Sequence, residues 1–269
     1  MKSYIMKKIL LIVALVLVGL NANAWNSQLD EAIVILSTKY LSPRSKLVVE
    51  NFLGKTYADD VAYLNKLDKQ KKSPYSKDVH YLHLDANLQP LAVEGDDAIK
   101  ALNQAAAVLV KYETLPKKDV VAALRTIINL MCDMNNLSRI RIQGVDYSWQ
   151  DFKVNVQRSA SGSKMKETAP TKWSGFWNAY SGHHKGFYPA LWAEDIDVCH
   201  GAQFAQFTQG TLNDWASQNG AIAMKLFSGS VKPEGLMTRV ERLELEDLHY
   251  EMMAKAAFRL AAFLNYTLR

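Results

Sequence analysis

Disulfide chemistry has little to work with here: Cys132 and Cys199 are the only cysteines in 269 residues. They permit one bridge at most, and sequence spacing leaves open whether the two sulfurs meet. Cys-x-x-Cys, His-Glu-x-x-His and a glycine-rich phosphate loop are also missing, so the usual short motifs for metal and nucleotide binding are absent. There is no internal repeat. A strong charge imbalance is lacking too. The chain carries 32 Lys and Arg against 27 Asp and Glu, a net +5. Three of those lysines (Lys2, Lys7 and Lys8) sit in the first 24 residues, which hold no acid, leaving +2 for the rest. The basic pI of the whole chain therefore says little about a nucleic-acid partner. Lys66, Lys69, Lys71, Lys72 and Lys77 do crowd one segment, where a solvated loop is the simpler reading than a phosphate-facing one.

What is present begins with a signal-peptide pattern. The three lysines precede an apolar run from Ile9 to Leu20, and Ala22-Asn23-Ala24 forms a small-residue cleavage site. That run is about 12 residues, against the roughly 20 a spanning helix needs. The expectation is export, periplasmic or secreted, with cleavage between Ala24 and Trp25. The mature chain then starts at Trp25 with a free α-amino group. Residues 25–269, in a chain that is 49% hydrophobic, suffice for one large domain with a real core.

The pattern is helical nearly throughout, so the expected class is mainly α, a single-domain helical bundle. "DEAIVILSTKYL" places apolar residues at 32, 33, 35, 36 and 40, a helix face. Ser42-Pro43 opens a second helix that Gly54 closes. "GDDAIKALNQAAAVLVKYETL" is rich in alanine, and Pro116 stands at the first turn of a buried apolar stretch reaching about residue 134. The final helix aligns Leu245, Leu248, Met252, Ala256, Leu260 and Leu264 near one stripe. Between 140 and 200 the pattern breaks into a long irregular excursion dense in Trp149, Trp173, Phe176, Trp177, Tyr180, Phe187, Tyr188 and Trp192. Long irregular segments are functional or disordered. So many aromatics argue against disorder and for packing on the helices.

Among residues that could carry chemistry, His80 and His83 lie in "DVHYLHLD", which reads as extended and would turn them to opposite sides. His183 and His184 occupy a glycine-flanked stretch, a surface loop or a metal site. Asp133 follows "TIINLMC", where an acid is costly unless paired or metal-bound. Asn129, Asn135 and Asn136 surround it, which fits a hydrogen-bonded amide network near a helix end.

The order of features resembles the secreted zinc-dependent S1/P1-type nucleases, whose helical fold is shared with zinc-dependent bacterial phospholipases C. The resemblance rests on Trp25 at the mature terminus, "YADDVAYLNKL", "VHYLHL", "GDDAIKAL", "AALRTIINLMCDMNNL", "LNDWASQNGAIA" and "LEDLHYEMMAKAAFRLAAFLN", in that order. It covers nearly all of 25–269 and is poor only at 140–190. It implies a phosphodiesterase in which three zinc ions bind phosphate oxygens and activate a water, the terminal Trp ligating one zinc through its amine and carbonyl.

Residue by residue, most of that implied ligand set is replaced. Trp25 remains, but Asp30 stands where the family has His. Tyr63-Leu64-Asn65 stands for Trp-Ala-Asp, exchanging an anionic ligand for a neutral amide. His80-Tyr81 retains the His-Tyr pair. In the long ligand helix only Asp133 survives, with Asn129 and Asn135 at the two histidine positions. Pro189 and Ala193 fall where a His and an Asp are expected. Zinc prefers imidazole, thiolate and carboxylate, and amide oxygen is a poor substitute.

Trp25, Asp30, His80 and Asp133 are thus the residual metal-site candidates, holding one zinc or none. In the metal-free alternative, Asp30 and Asp133 pair with the Trp25 ammonium, with His80 hydrogen-bonded beside them. Two functions follow from the resemblance. One is an exported nuclease-like protein with a degenerate trinuclear site, catalytically impaired and retained for ligand binding. The other is an active metal-dependent endonuclease or phosphodiesterase on single-stranded nucleic acid or another phosphate ester, with Asp133 catalytic. A monomer without a membrane span after cleavage is expected in both.

Overall fold

A computed structural model describes residues 25, 27–55, 57–61, 63–145, 153–156, 169–178, 188–229 and 235–269. The first helix, α1 (Ser27–Lys39), buries Leu29, Ala32, Ile33 and Leu36, the spacing of one helical face. In α2 (Pro43–Leu53) the Ser42 side chain accepts from the Ser45 amide, and Pro43 occupies a first-turn position that needs no amide donor. Gly54, at φ 86°, ends it in a backbone region that side chains disfavour. A short α3 (Tyr63–Lys69) precedes α4 (Ala98–Leu109), capped by Asp97 accepting from the Lys100 amide.

The centre of the molecule is α5 (Lys117–Met134). From Thr126 to Met134 every residue is buried, so this end of the helix touches protein on all sides. α4 and α3 pack along it, and α10 (Arg239–Thr267) crosses it. α10 opens with a capping box, the Thr238 side chain accepting from the Glu241 amide and Glu241 accepting from the Thr238 amide. From Met252 to Ala261 it too is buried on every face. Ala254, Ala256, Ala257 and Ala261 are fully covered, which lets neighbouring helices approach closely. α1 fills the space between α10 and α7 (Pro189–His200). The remaining helices are α6 (Trp173–Asn178), α8 (Phe204–Phe207) and α9 (Leu212–Gly229).

Strands are few. β1 (Leu82–Leu84) pairs in parallel with β2 (Ile140–Ile142), Leu82 opposite Ile140. β3 (Lys153–Val156) lies between antiparallel β4 (Ala169–Lys172) and parallel β5 (Leu236–Met237). The architecture is mainly helical. Among the described residues, no helix is long and apolar enough to cross a membrane.

Several expectations are corrected. The stretch 140–200 is not irregular throughout, since β2, β3, β4, α6 and α7 lie in it. Strands of three or four residues are too short to show alternation, and α6 puts Trp173 and Trp177 four apart on one buried face. His80 closes a 3-10 turn (Lys77–His80) rather than lying on a strand, whereas His83 is in β1. Lys66 and Lys69 end α3, exposed, instead of forming a loop. Leu248 is only half-buried, while the other members of the α10 stripe are covered. Cys132 is buried in α5 and Cys199 exposed on α7, and both are free thiols. The signal-peptide segment, Trp149, Tyr180, His183, His184, Phe187 and the Phe176 ring fall outside the described residues.

The packing of α10 makes a simple forecast. Ala257→Leu forces a larger side chain into a covered helix contact and is expected to cost about 1–3 kcal/mol in chemical denaturation. Val198→Ser, at a position 87% exposed, is expected to stay within about 0.5 kcal/mol of the parent.

Candidate functional site

The last turn of α5 and the segment after it gather most of the residues singled out by sequence. Trp25 is fully buried, and its indole Nε1 donates to the Cys132 carbonyl at 3.1 Å. Its ring meets the His249 ring edge-on at 4.7 Å and lies 5.8 Å from Trp177. His249 lies 3.2 Å through Nε2 from the Trp177 carbonyl, and burial pushes its pKa down to about 3. A neutral ring then donates from Nε2. Asp30 reaches the same place from α1, bonded to the Cys132 thiol. Asp133, one residue on, is fully buried.

Asp133 Oδ2 lies 2.7 Å from His80 Nδ1 and accepts from Asn129 Nδ2 at 3.3 Å. The other imidazole nitrogen, Nε2, is 2.8 Å from Asp68 Oδ2. His80 is therefore held between two carboxylates. When protonated it donates to both; when neutral it can donate to only one. Burial by itself depresses its pKa, but the Asp133 charge and hydrogen bond, with a contribution from Asp68, overcome that and hold it above the usual 6.5. Arg139, buried and stacked over the Tyr81 ring at 5.2 Å, brings Nε to 3.7 Å from Asp133 Oδ1. Asp30 is shifted far upward, first by burial and then by the nearby Asp133 charge. One of the two buried acids thus favours its neutral form beside the other.

A second cluster begins at Asn135. Its Nδ2 donates to the Met131 carbonyl at 2.9 Å, while its Oδ1 accepts from Asn219 Nδ2 at 3.1 Å and Arg259 Nη1 at 2.7 Å. Arg259 is fully buried, and burial lowers its pKa to about 9, which leaves it charged at neutral pH. Beyond these, Asn136 and Ser138 share Asn178 Oδ1 at 3.0 Å each.

These geometries decide how well the chain fits zinc. A metal-bound imidazole nitrogen must offer a lone pair, yet both His80 nitrogens face carboxylate oxygens. Asn129 Oδ1 accepts from the Leu64 amide at 2.9 Å, and Asn135 Oδ1 faces a guanidinium. Ala193 is buried in α7 without donor atoms, and Pro189 is only the first residue of that helix. The three-zinc set does not fit. Two carboxylate oxygens, Asp30 Oδ1 and Asp133 Oδ1, are buried without a hydrogen-bond donor. Among the described residues, no three His, Cys, Asp or Glu side chains are arranged to hold a metal ion.

Comparison with protein-family models gave no match, and comparison with curated proteins gave none either.

The tertiary structure also brings in residues that sequence reading passed over: Asp68, Arg139, Asn178, Asn219 and Arg259. Arg259 carried a legible signal, an arginine inside "AAFRLAAFL", where burial demands acceptors. Asp68 carried none, sitting among lysines. A separate groove of about 400 Å³, between α9 and α10, is floored by Ile222, Leu226, Leu245 and Leu248. It shares no lining residue with either cluster.

Proton linkage follows from the two histidines. His80, with its raised folded pKa, contributes stability that is full below 6.5 and is lost as pH rises through the folded value. His249, depressed to about 3, costs stability as pH falls from 6.5 towards 3, because only the unfolded chain takes up the proton. Thermal melts should flatten on the alkaline side in His80→Gln and on the acid side in His249→Gln. Unchanged slopes in both variants would contradict this assignment.

Proposed function

We propose that this chain is an exported, divergent protein of the S1/P1 nuclease type whose trinuclear zinc centre has been replaced by side-chain hydrogen bonds, leaving it without efficient phosphodiesterase activity. One observation carries the reading. Three residues at implied ligand positions are turned to other side chains and to neighbouring backbone: His80 to Asp68 and Asp133, Asn129 to Asp133 and the Leu64 amide, Asn135 to Arg259 and Asn219. A centre that had merely lost one ligand would leave the others pointing at an open position. Here the donor atoms of His80, Asn129 and Asn135 are engaged, and two arginine side chains, Arg139 and Arg259, stand inside the cluster. Burying these polar groups is tolerable only because they are bonded.

A second reading keeps one divalent cation, and a specific observation favours it: the unbonded oxygens of Asp30 and Asp133. The amine and carbonyl of a processed Trp25 would complete such a site. Against it stands the preference of Asp30 for its neutral form and the Arg139 guanidinium on the Asp133 side.

The readings separate in two measurements on the mature protein starting at Trp25. Elemental analysis is expected to find fewer than two zinc ions per chain, and three would overturn the proposal. Incubation with single-stranded DNA or RNA and added zinc is expected to give no efficient cleavage. Robust turnover that disappears in Asp133→Asn would establish the enzyme instead.

A further inference from the structure

Arg259 has an unusual set of partners. Its Nη1 donates to Asn135 Oδ1 at 2.7 Å and to Asn219 Oδ1 at 2.8 Å, its Nη2 to Gln218 Oε1 at 2.5 Å, and its Nε to the Phe207 carbonyl at 3.1 Å. All four acceptors are neutral oxygens. They come from the end of α5, from α9 and from α8, so one guanidinium joins three elements to α10. The Trp215 ring closes another side, 5.5 Å from the guanidinium carbon. Asn219 is itself fixed by donating to the Met134 carbonyl at 2.9 Å, so its oxygen is held towards the guanidinium. A ring of preoriented, uncharged oxygen dipoles around a buried positive centre is the arrangement by which carbonyl and amide ligands coordinate a cation.

We infer that the Asn135–Asn219–Gln218–Phe207 cluster is a cation-binding cage whose resident ion is the chain's own Arg259 guanidinium, and that this cage accepts no metal. The inference rests on the proposed reading of a replaced zinc centre and sharpens it: the positive charge at this position is supplied by a side chain rather than removed. The guanidinium suits the cage better than a metal ion would. Its planar fork reaches acceptors several ångströms apart, and its weak hydration makes burial less costly than for an ammonium. A zinc ion would find only amide and peptide oxygens here, its poorest ligands.

The experiment is chemical rescue. Arg259→Ala, melted in EDTA, is expected to lose roughly 10 °C in Tm. Millimolar methylguanidinium should restore part of that loss while leaving the parent Tm unchanged or lowered, and zinc in place of EDTA should restore none. Recovery with zinc, or no recovery with methylguanidinium, overturns the inference. Should Arg259→Ala fail to fold, Gln218→Glu decides. It puts a carboxylate at the exposed mouth of the cage against the same Nη2, so its Tm in EDTA should rise. An unchanged or lower Tm means that no effective cation resides there. These melts use engineered variants without substrate. Their failure is thus distinct from that of the proposed function, which turns on the zinc content and nuclease activity of the parent protein.

Discussion

The burial of the Asp133 carboxylate is the constraint on which the rest of this molecule turns. A carboxylate with no solvent contact survives in a folded protein only if it is neutralised or bonded. The chain answers with His80 and Asn129 on one oxygen and Arg139 near the other. Those partners arrive from separate places, a 3-10 turn, the preceding turn of α5 and the segment leading to β2. Satisfying one charge therefore pins several elements to the buried end of α5. The parallel pairing of β1 with β2 follows from the same geometry, since His80 and Arg139 lie just before those two strands.

Arg259, on α10, plays a comparable part beside Asn135, just past the end of α5. Two helices covered on all faces, α5 and α10, cross in the core, and each carries a charge into it. Asp133 and Arg259 do not pair with each other. Asp133 is held by the His80 ring, the Asn129 amide and the Arg139 guanidinium, and Arg259 by side-chain amides and a backbone carbonyl. Many such bonds are modest individually, yet removing one partner strands a buried polar atom, which costs more than the bond contributes. Such an interior resists partial change. It also fits the proposed reading, in which a site suited to metal by resemblance is a polar core with His80 hydrogen-bonded between Asp68 and Asp133.

The linkage of the two histidines has opposite signs for a plain reason. His80 is buried between anions, His249 between aromatic rings and a carbonyl. Burial penalises both charged forms equally in kind. Only the neighbouring carboxylates reverse the outcome.

Much of the helical frame was legible in residue order. Ser42-Pro43, Gly54, the Pro116 start and the long apolar stripe of α10 are local signals, set within a turn or two of the residues that obey them. The convergence of Trp25, Asp30, His80 and Asp133 was expected only through resemblance, and the amide network around Asp133 was anticipated from the cost of burying an acid. The short strands and α6 were missed because three to six residues carry too little periodicity to read, and the 12-residue α7 was missed as well, taken into the irregular stretch. Asp68 and Asn219 were missed because nothing in their local sequence requires a partner. The sequence by itself determined the main helical frame outside 140–200, and that a buried acid at 133 must be compensated, since both depend on local chemistry. Only the tertiary structure decided who compensates it. Which nitrogen of His80 meets which carboxylate, and that Arg259 fills the place beside Asn135, depend on contacts between residues tens to more than a hundred positions apart, which no local pattern encodes.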